Sequence, residues 1–191
     1  MRRLLAILGR PFGRRRERGA AGGPYFVEVD ADALARGLTA WAWLGLEGRR
    51  PIRVTAFGGV FFAGADGVWF LDPLDGSLTP VCAAETELDA SLVGEDAEDQ
   101  YLLAPFVDRA RREGLRLGPG EVYQFKIAPA LGGPIAFANI EPASLVVALS
   151  VTGALHALAQ AAPPGTAVVG VAVDGVVPEA DGASEPPADE R

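Results

Sequence analysis

Residues 52–82 are cut twice by turn chemistry, at Gly64-Ala65-Asp66-Gly67 and at Asp72-Pro73-Leu74-Asp75-Gly76. Each turn closes on an Asp-Gly pair, and the glycine supplies the position that tolerates positive φ in a hairpin. The pieces so divided, residues 52–63, 68–71 and 77–81, are short and rich in β-branched and aromatic side chains. Three antiparallel strands in meander order are the expected result. In the first, Ile52, Val54, Ala56, Val60 and Phe62 share one parity and Phe57 and Phe61 the other, so both faces of the sheet need cover. Cys82 closes the last strand and reads as a buried small hydrophobe.

On either side the pattern changes. Tyr25-Phe26-Val27-Glu28-Val29 alternates like a short strand, after which Asp30 or Asp32 caps a helix with Leu34, Leu38, Trp41 and Leu44 at helical spacing. That stripe is core. Downstream, Leu88 and Leu92 mark one helix, and Tyr101, Leu102, Phe106 and Ala110 mark a second that stops at Gly114 and that Pro105 should break. Pro119-Gly120 makes a tight turn into an alternating strand over residues 121–128. Residues 142–164 read as a buried helix whose first turn is Glu141-Pro142. The fold class is α+β, a small antiparallel meander sheet packed against several helices, with disordered N- and C-terminal tails. Its boundaries are a basic arm over residues 1–24, a single domain over residues 25–177 and an acidic tail over residues 178–191. The tail holds three Pro and five acids and no large apolar side chain, too little to offset its ordering entropy.

Charge is distributed unevenly. Seven Arg and one Glu fall within residues 1–18, leaving 10 basic and 24 acidic residues in the remainder. A body so acidic is a poor nucleic-acid binder and a suitable partner for something basic. The short apolar run Leu4-Leu5-Ala6-Ile7-Leu8 is broken by Gly9-Arg10-Pro11 and followed by more Arg, unlike a signal peptide, and no span crosses a membrane; the chain is expected to be cytoplasmic. One Cys and one His exclude a disulfide framework and a Cys/His-rich metal site. Triad chemistry would have to run through His156, whose place one turn beyond Thr152 suits a hydrogen-bonded core residue. Lys126, the single Lys, reads as a strand-edge residue.

Seven acids, Glu85, Glu87, Asp89, Glu95, Asp96, Glu98 and Asp99, crowd into fifteen residues. They lack the Asp-x-Asp-x-Asp-Gly spacing of a calcium loop, and nothing in the spacing pairs two of them for acid–base work. A solvated helix face and an acidic docking patch are the two readings that remain.

Within residues 117–165 lies Leu-Gly-Pro-Gly-Glu-Val-Tyr-Gln-Phe-Lys-Ile-Ala-Pro-Ala-Leu-Gly-Gly, followed by Phe137-Ala138-Asn139-Ile140-Glu141-Pro142. Gly132-Gly133 permits a close backbone approach or positive φ, and Asn139 can bridge loop amides. No Lys-Ser/Thr follows the glycines, as a phosphate loop requires. Here the chain resembles the C-terminal domain of the type VI secretion immunity proteins, through Tyr123, Phe125, Lys126, Ile127, Pro129, Leu131, Gly132, Gly133, Asn139, Ile140, Glu141, Gly153, Leu155 and His156. The strands around Phe57-Gly58 and Trp69-Phe70-Leu71-Asp72 are also similar to the family's, so the resemblance runs over roughly residues 30–165 and is most specific over 117–156. It departs from the pattern at Ala148, where family helices often carry His. The resemblance implies a non-enzymatic immunity protein, without cofactor or metal, that binds and neutralises a cognate secreted toxin, in this family typically a nuclease. The seven acids are then the candidate contacts with a basic toxin surface. A hydrolase on the same scaffold and a general protein-interaction module are the alternatives.

Overall fold

The computed structural model describes residues 23–161. The arm expected over residues 1–24, save its last two positions, and the tail over residues 178–191 lie outside the described residues. The fold is α+β. A five-stranded antiparallel sheet runs in chain order through β1 (Phe26–Val27), β2 (Arg50–Thr55), β3 (Val60–Gly64), β4 (Gly67–Asp72) and β5 (Ser77–Cys82). Gly67 and Gly76 close the two hairpins at φ of 112° and 63°, as the Asp-Gly signals require.

The meander is longer than expected because residues 52–63 form two strands. Gly58-Gly59 turns the chain, with Gly58 donating to the Thr55 carbonyl at 2.9 Å and Gly59 to the Thr55 hydroxyl at 2.9 Å. A bulge between Pro51 and Arg53 also moves Ile52 to the face of Phe61 and Val68, away from Val54, whose parity it shares. Cys82 is half-buried rather than buried, and its thiol donates to the Ala84 carbonyl at 3.3 Å.

Both faces of the sheet are covered. On one, Val54, Val60, Phe62 and Leu71 pack against Leu34 of α1 (Ala31–Leu38), against Trp41, and against Leu145 and Leu149 of α5 (Leu145–Ala161). Asp30 caps α1 by accepting from Ala33 N–H at 2.9 Å. The helical stripe continues to Leu44, but after Leu38 the chain tightens to a 3₁₀ helix (Thr39–Leu44), a common way for terminal carbonyls to be satisfied. Trp41 is fully buried, and its indole N–H donates to the Leu149 carbonyl at 2.8 Å, pinning this segment to α5.

On the other face, Phe61, Val68 and Phe70 meet Leu88 of α2 (Leu88–Ser91), Leu92 and Tyr101 of α3 (Glu95–Leu102). The break expected from Pro105 falls at Leu103, φ 46°, between α3 and α4 (Ala104–Arg112). Pro105 then occupies the first turn of α4, where its missing N–H costs nothing.

A second, two-stranded sheet pairs β6 (Glu121–Phe125) with β7 (Ile140–Ser144). Tyr123 and Phe125 of β6 share a cluster with Phe57, Phe106 and Val107, and Tyr123 N–H donates to the Ala56 carbonyl at 2.7 Å. Glu141 and Pro142 therefore belong to β7, opposite Gln124 and Tyr123, and not to a helical turn. The residue before a proline is disfavoured in the α region, so Glu141 stays extended and α5 begins three residues later than Pro142.

Candidate functional site

Glu85, Glu87 and Asp89 lie between β5 and α3, in the segment held down by Leu88 and Leu92, and Glu95, Asp96, Glu98 and Asp99 lie within α3. The structure sorts them into different environments. Glu85 accepts from Arg50 at 2.7 Å and Asp89 from Arg53 at 2.6 Å, so two of the charges are neutralised by β2. Glu87 is exposed and accepts from Ala83 N–H at 3.2 Å. Glu95 and Asp96 are exposed in the first turn of α3, at the positive end of the helix dipole. Glu98 is half-buried, and Asp99 is buried at 8% exposure. Glu85, Glu87, Asp89, Glu95 and Asp96 are thus exposed, and of these Glu85 and Asp89 are paired with arginines. Among the described residues, no group of three or more His, Cys, Asp or Glu is placed to hold a metal ion. Nor is any helix among them long and apolar enough to cross a membrane.

The glycine-rich segment after β6 is a closed loop built from backbone. Asn139 accepts from Ile127 N–H at 3.0 Å and donates to the Ile127 and Pro134 carbonyls, both at 2.9 Å. Gly132 has φ of 84°, and a Cβ on Gly133 would overlap the Ile127 carbonyl oxygen. Both glycines are therefore needed for the loop to close. Lys126 donates to the Ala138 carbonyl at 3.2 Å and is exposed.

His156 faces the β4–β5 turn. Its Nε2–H donates to the Pro73 carbonyl at 3.1 Å, and its ring lies 5.8 Å from that of Trp41. That hydrogen bond assigns the tautomer, since a carbonyl only accepts. In the same turn, Asp72 accepts from Leu74 N–H at 2.8 Å. Burial pushes its carboxyl up to about 6, against the lowering effect of the Leu74 hydrogen bond.

Two concavities flank these elements. A depression of about 770 Å³ between α1 and β2 carries Arg49, Arg50 and Arg53 in its lining, each paired with an acid: Asp66, Glu85 and Asp89. An apolar groove of about 330 Å³ separates the loop after β6 from α5, with Tyr123, Phe125 and Leu149 among its buried lining. Sequence reasoning passed over this groove and the Asp72 carboxyl. The available signal for the groove was an α5 sequence without a charged residue on any side.

Comparison with known proteins places these features.

Residues 84–156 match the family described as T6SS immunity protein Tdi1, C-terminal.

The matched stretch holds all seven acids, the Asn139 loop and His156, and it bears out the resemblance read from the loop residues. It is narrower than the span of that resemblance, since β1 to β5 lie before residue 84. The match to the Tdi1 C-terminal family supports an immunity role. Among solved structures, one described as the crystal structure of Atu4351 from Agrobacterium tumefaciens is 18% identical at a TM-score of 0.46, the alignment covering 68% of this chain and 66% of that one. No curated protein matches the chain.

Proposed function

We propose that this chain is a non-enzymatic, cytoplasmic immunity protein that binds and neutralises a cognate secreted toxin, a basic nuclease. The observation that carries the reading is the match of residues 84–156 to the T6SS immunity family. The acidic excess of residues 19–191 supports a basic partner. The docking surface is the exposed acid of the segment before and within α3, Glu87, Glu95 and Asp96. Glu85 and Asp89 contribute through their Arg50 and Arg53 pairs, and Glu98 and Asp99 shape α3 beneath. Opposite charge steers the encounter and places carboxylates where a nuclease expects phosphate. His156 serves the fold, through its Pro73 hydrogen bond.

The test is co-expression with the toxin encoded beside its gene, followed by capture of the toxin from the same cells. Rescue of growth together with a stable complex is the expected result. Rescue without a complex, or a hydrolytic activity of the purified chain that His156→Gln abolishes, would overturn the proposal.

A further inference from the structure

Three of the five large apolar side chains exposed among the described residues line the groove beside α5: Ile127 at 55%, Leu131 at 50% and Val147 at 41% exposure. The buried part of the lining is apolar as well, with Phe125, Leu149 and Leu155 in it. At about 330 Å³ the groove lies at the lower end of the roughly 300–1,000 Å³ that small-molecule sites occupy.

The polar groups of the lining decide what such a groove can hold. No Asp or Glu lines it, although the chain carries 25 acids. Its charge comes from Lys126, the single lysine of the chain. The other polar side chains of the lining are turned to partners within the fold. Tyr123 donates to the Leu115 carbonyl at 2.9 Å, Gln124 to Glu141 at 3.1 Å, Thr152 to the Ala148 carbonyl at 2.7 Å and His156 to the Pro73 carbonyl at 3.1 Å. The Lys126 ammonium has three donors and uses one of them, on the Ala138 carbonyl at 3.2 Å. None of the ion pairs of the described residues involves it.

The walls suit an acyl chain better than a peptide. The Ile127 N–H and carbonyl are bonded to Asn139, and the N–H groups of Leu131 and Gly133 to the Ala128 carbonyl. The other wall is a helix, whose backbone groups bond within it. A peptide strand laid between them would leave its own N–H and C=O groups without partners, whereas an acyl chain has none to satisfy.

We infer that this groove binds a single apolar chain ending in a carboxylate, a ligand of the fatty-acid class, with the chain against Ile127, Leu131, Val147 and Leu155 and the carboxylate on the Lys126 ammonium. Burial of methylenes supplies the affinity, and the ammonium selects the head group. The inference stands independently of the immunity reading.

Calorimetric titration of the full chain with decanoate, at concentrations where decanoate is monomeric, tests it. One decanoate should bind per chain, about tenfold more tightly than octanoate because two more methylenes are buried. It should also bind at least about tenfold more tightly than decanol, which has the same chain without the charge. Lys126→Gln should bring decanoate to the affinity of decanol and leave decanol unchanged, and Lys126→Arg should restore most of the difference. Val147→Asp, at an exposed position on the helix wall, should weaken decanoate by about tenfold or more. Absence of saturable decanoate binding would overturn the inference. So would equal affinity for decanol and decanoate, which makes the groove an apolar hollow without a head-group site, or decanoate binding untouched by Lys126→Gln and Val147→Asp, which seats the ligand elsewhere.

Discussion

Asn139 holds its loop with three hydrogen bonds, at 6% exposure. Asn139→Ala strands the Ile127 N–H and two carbonyls in a place water reaches poorly, and should cost about 2–4 kcal/mol in urea unfolding. Asn139→Asp keeps the acceptor but turns a second carboxylate oxygen toward two carbonyls. Its loss at neutral pH should be at least as large, and should shrink as acid protonates the carboxyl. Equal stability of all three proteins would mean that the loop is not held from this residue. Asp72 is the opposite case, a carboxyl that the fold prefers protonated. Burial raises its folded value to about 6, above the ordinary ~3.9 of the unfolded chain. The native state therefore binds the extra proton between those values, so this group's contribution is full below about pH 4 and is lost as pH rises through about 6. Because the residue is half-buried, the loss should be about 1–3 kcal/mol. Asp72→Asn retains an acceptor for Leu74 N–H and should remove this decline, read as the difference between the two stability–pH curves over that window. Parallel curves would show that the carboxyl titrates normally.

At the scale of elements, α5 and the 3₁₀ helix after α1 meet in close contact. Gly153 makes the approach possible: a Cβ there would lie 2.8 Å from the Ala40 Cβ and 2.8 Å from the Trp41 indole nitrogen. Two effects of Gly153→Ala compete. Alanine is better than glycine inside a helix by about 1 kcal/mol, whereas overpacking a core costs about 1–3 kcal/mol. Overpacking should win, because the opposing atoms include a tryptophan fixed by its hydrogen bond to Leu149. Thermal unfolding should show a midpoint lower by about 2–4 °C. A higher midpoint would mean that α5 moves away at no cost and that helix propensity governs the position.

At the scale of the molecule, charge is the property that reaches beyond contact distance. Reversing Glu87, Glu95 and Asp96 to Lys should slow association with a basic toxin about tenfold at low salt and leave dissociation nearly unchanged. The difference should narrow at physiological ionic strength, where the Debye length is ~8 Å. Stopped-flow association at two salt concentrations measures it. An unchanged association rate makes the three acids a solvated face, and a defect wholly in dissociation makes them direct contacts. Asp99 is left out of the variant because it is buried, and its reversal would report on folding. How much of this protein was legible beforehand follows the range of the forces involved. The Asp-Gly hairpins, a helix cap at Asp30 or Asp32 and the break before Pro105 depend on residues a few positions apart, the Asn139 loop on residues up to 12 apart, and the sequence alone made them readable. Gly58-Gly59 was equally local, and the turn it makes was readable but hidden inside an apolar run. Tertiary structure alone decided that Ile52 changes face at a bulge, that Arg50 and Arg53 meet Glu85 and Asp89 across 35 and 36 residues, and that burial raises Asp72. Those outcomes depend on which distant surfaces exclude water from one another, and a residue's chain neighbours carry no record of that.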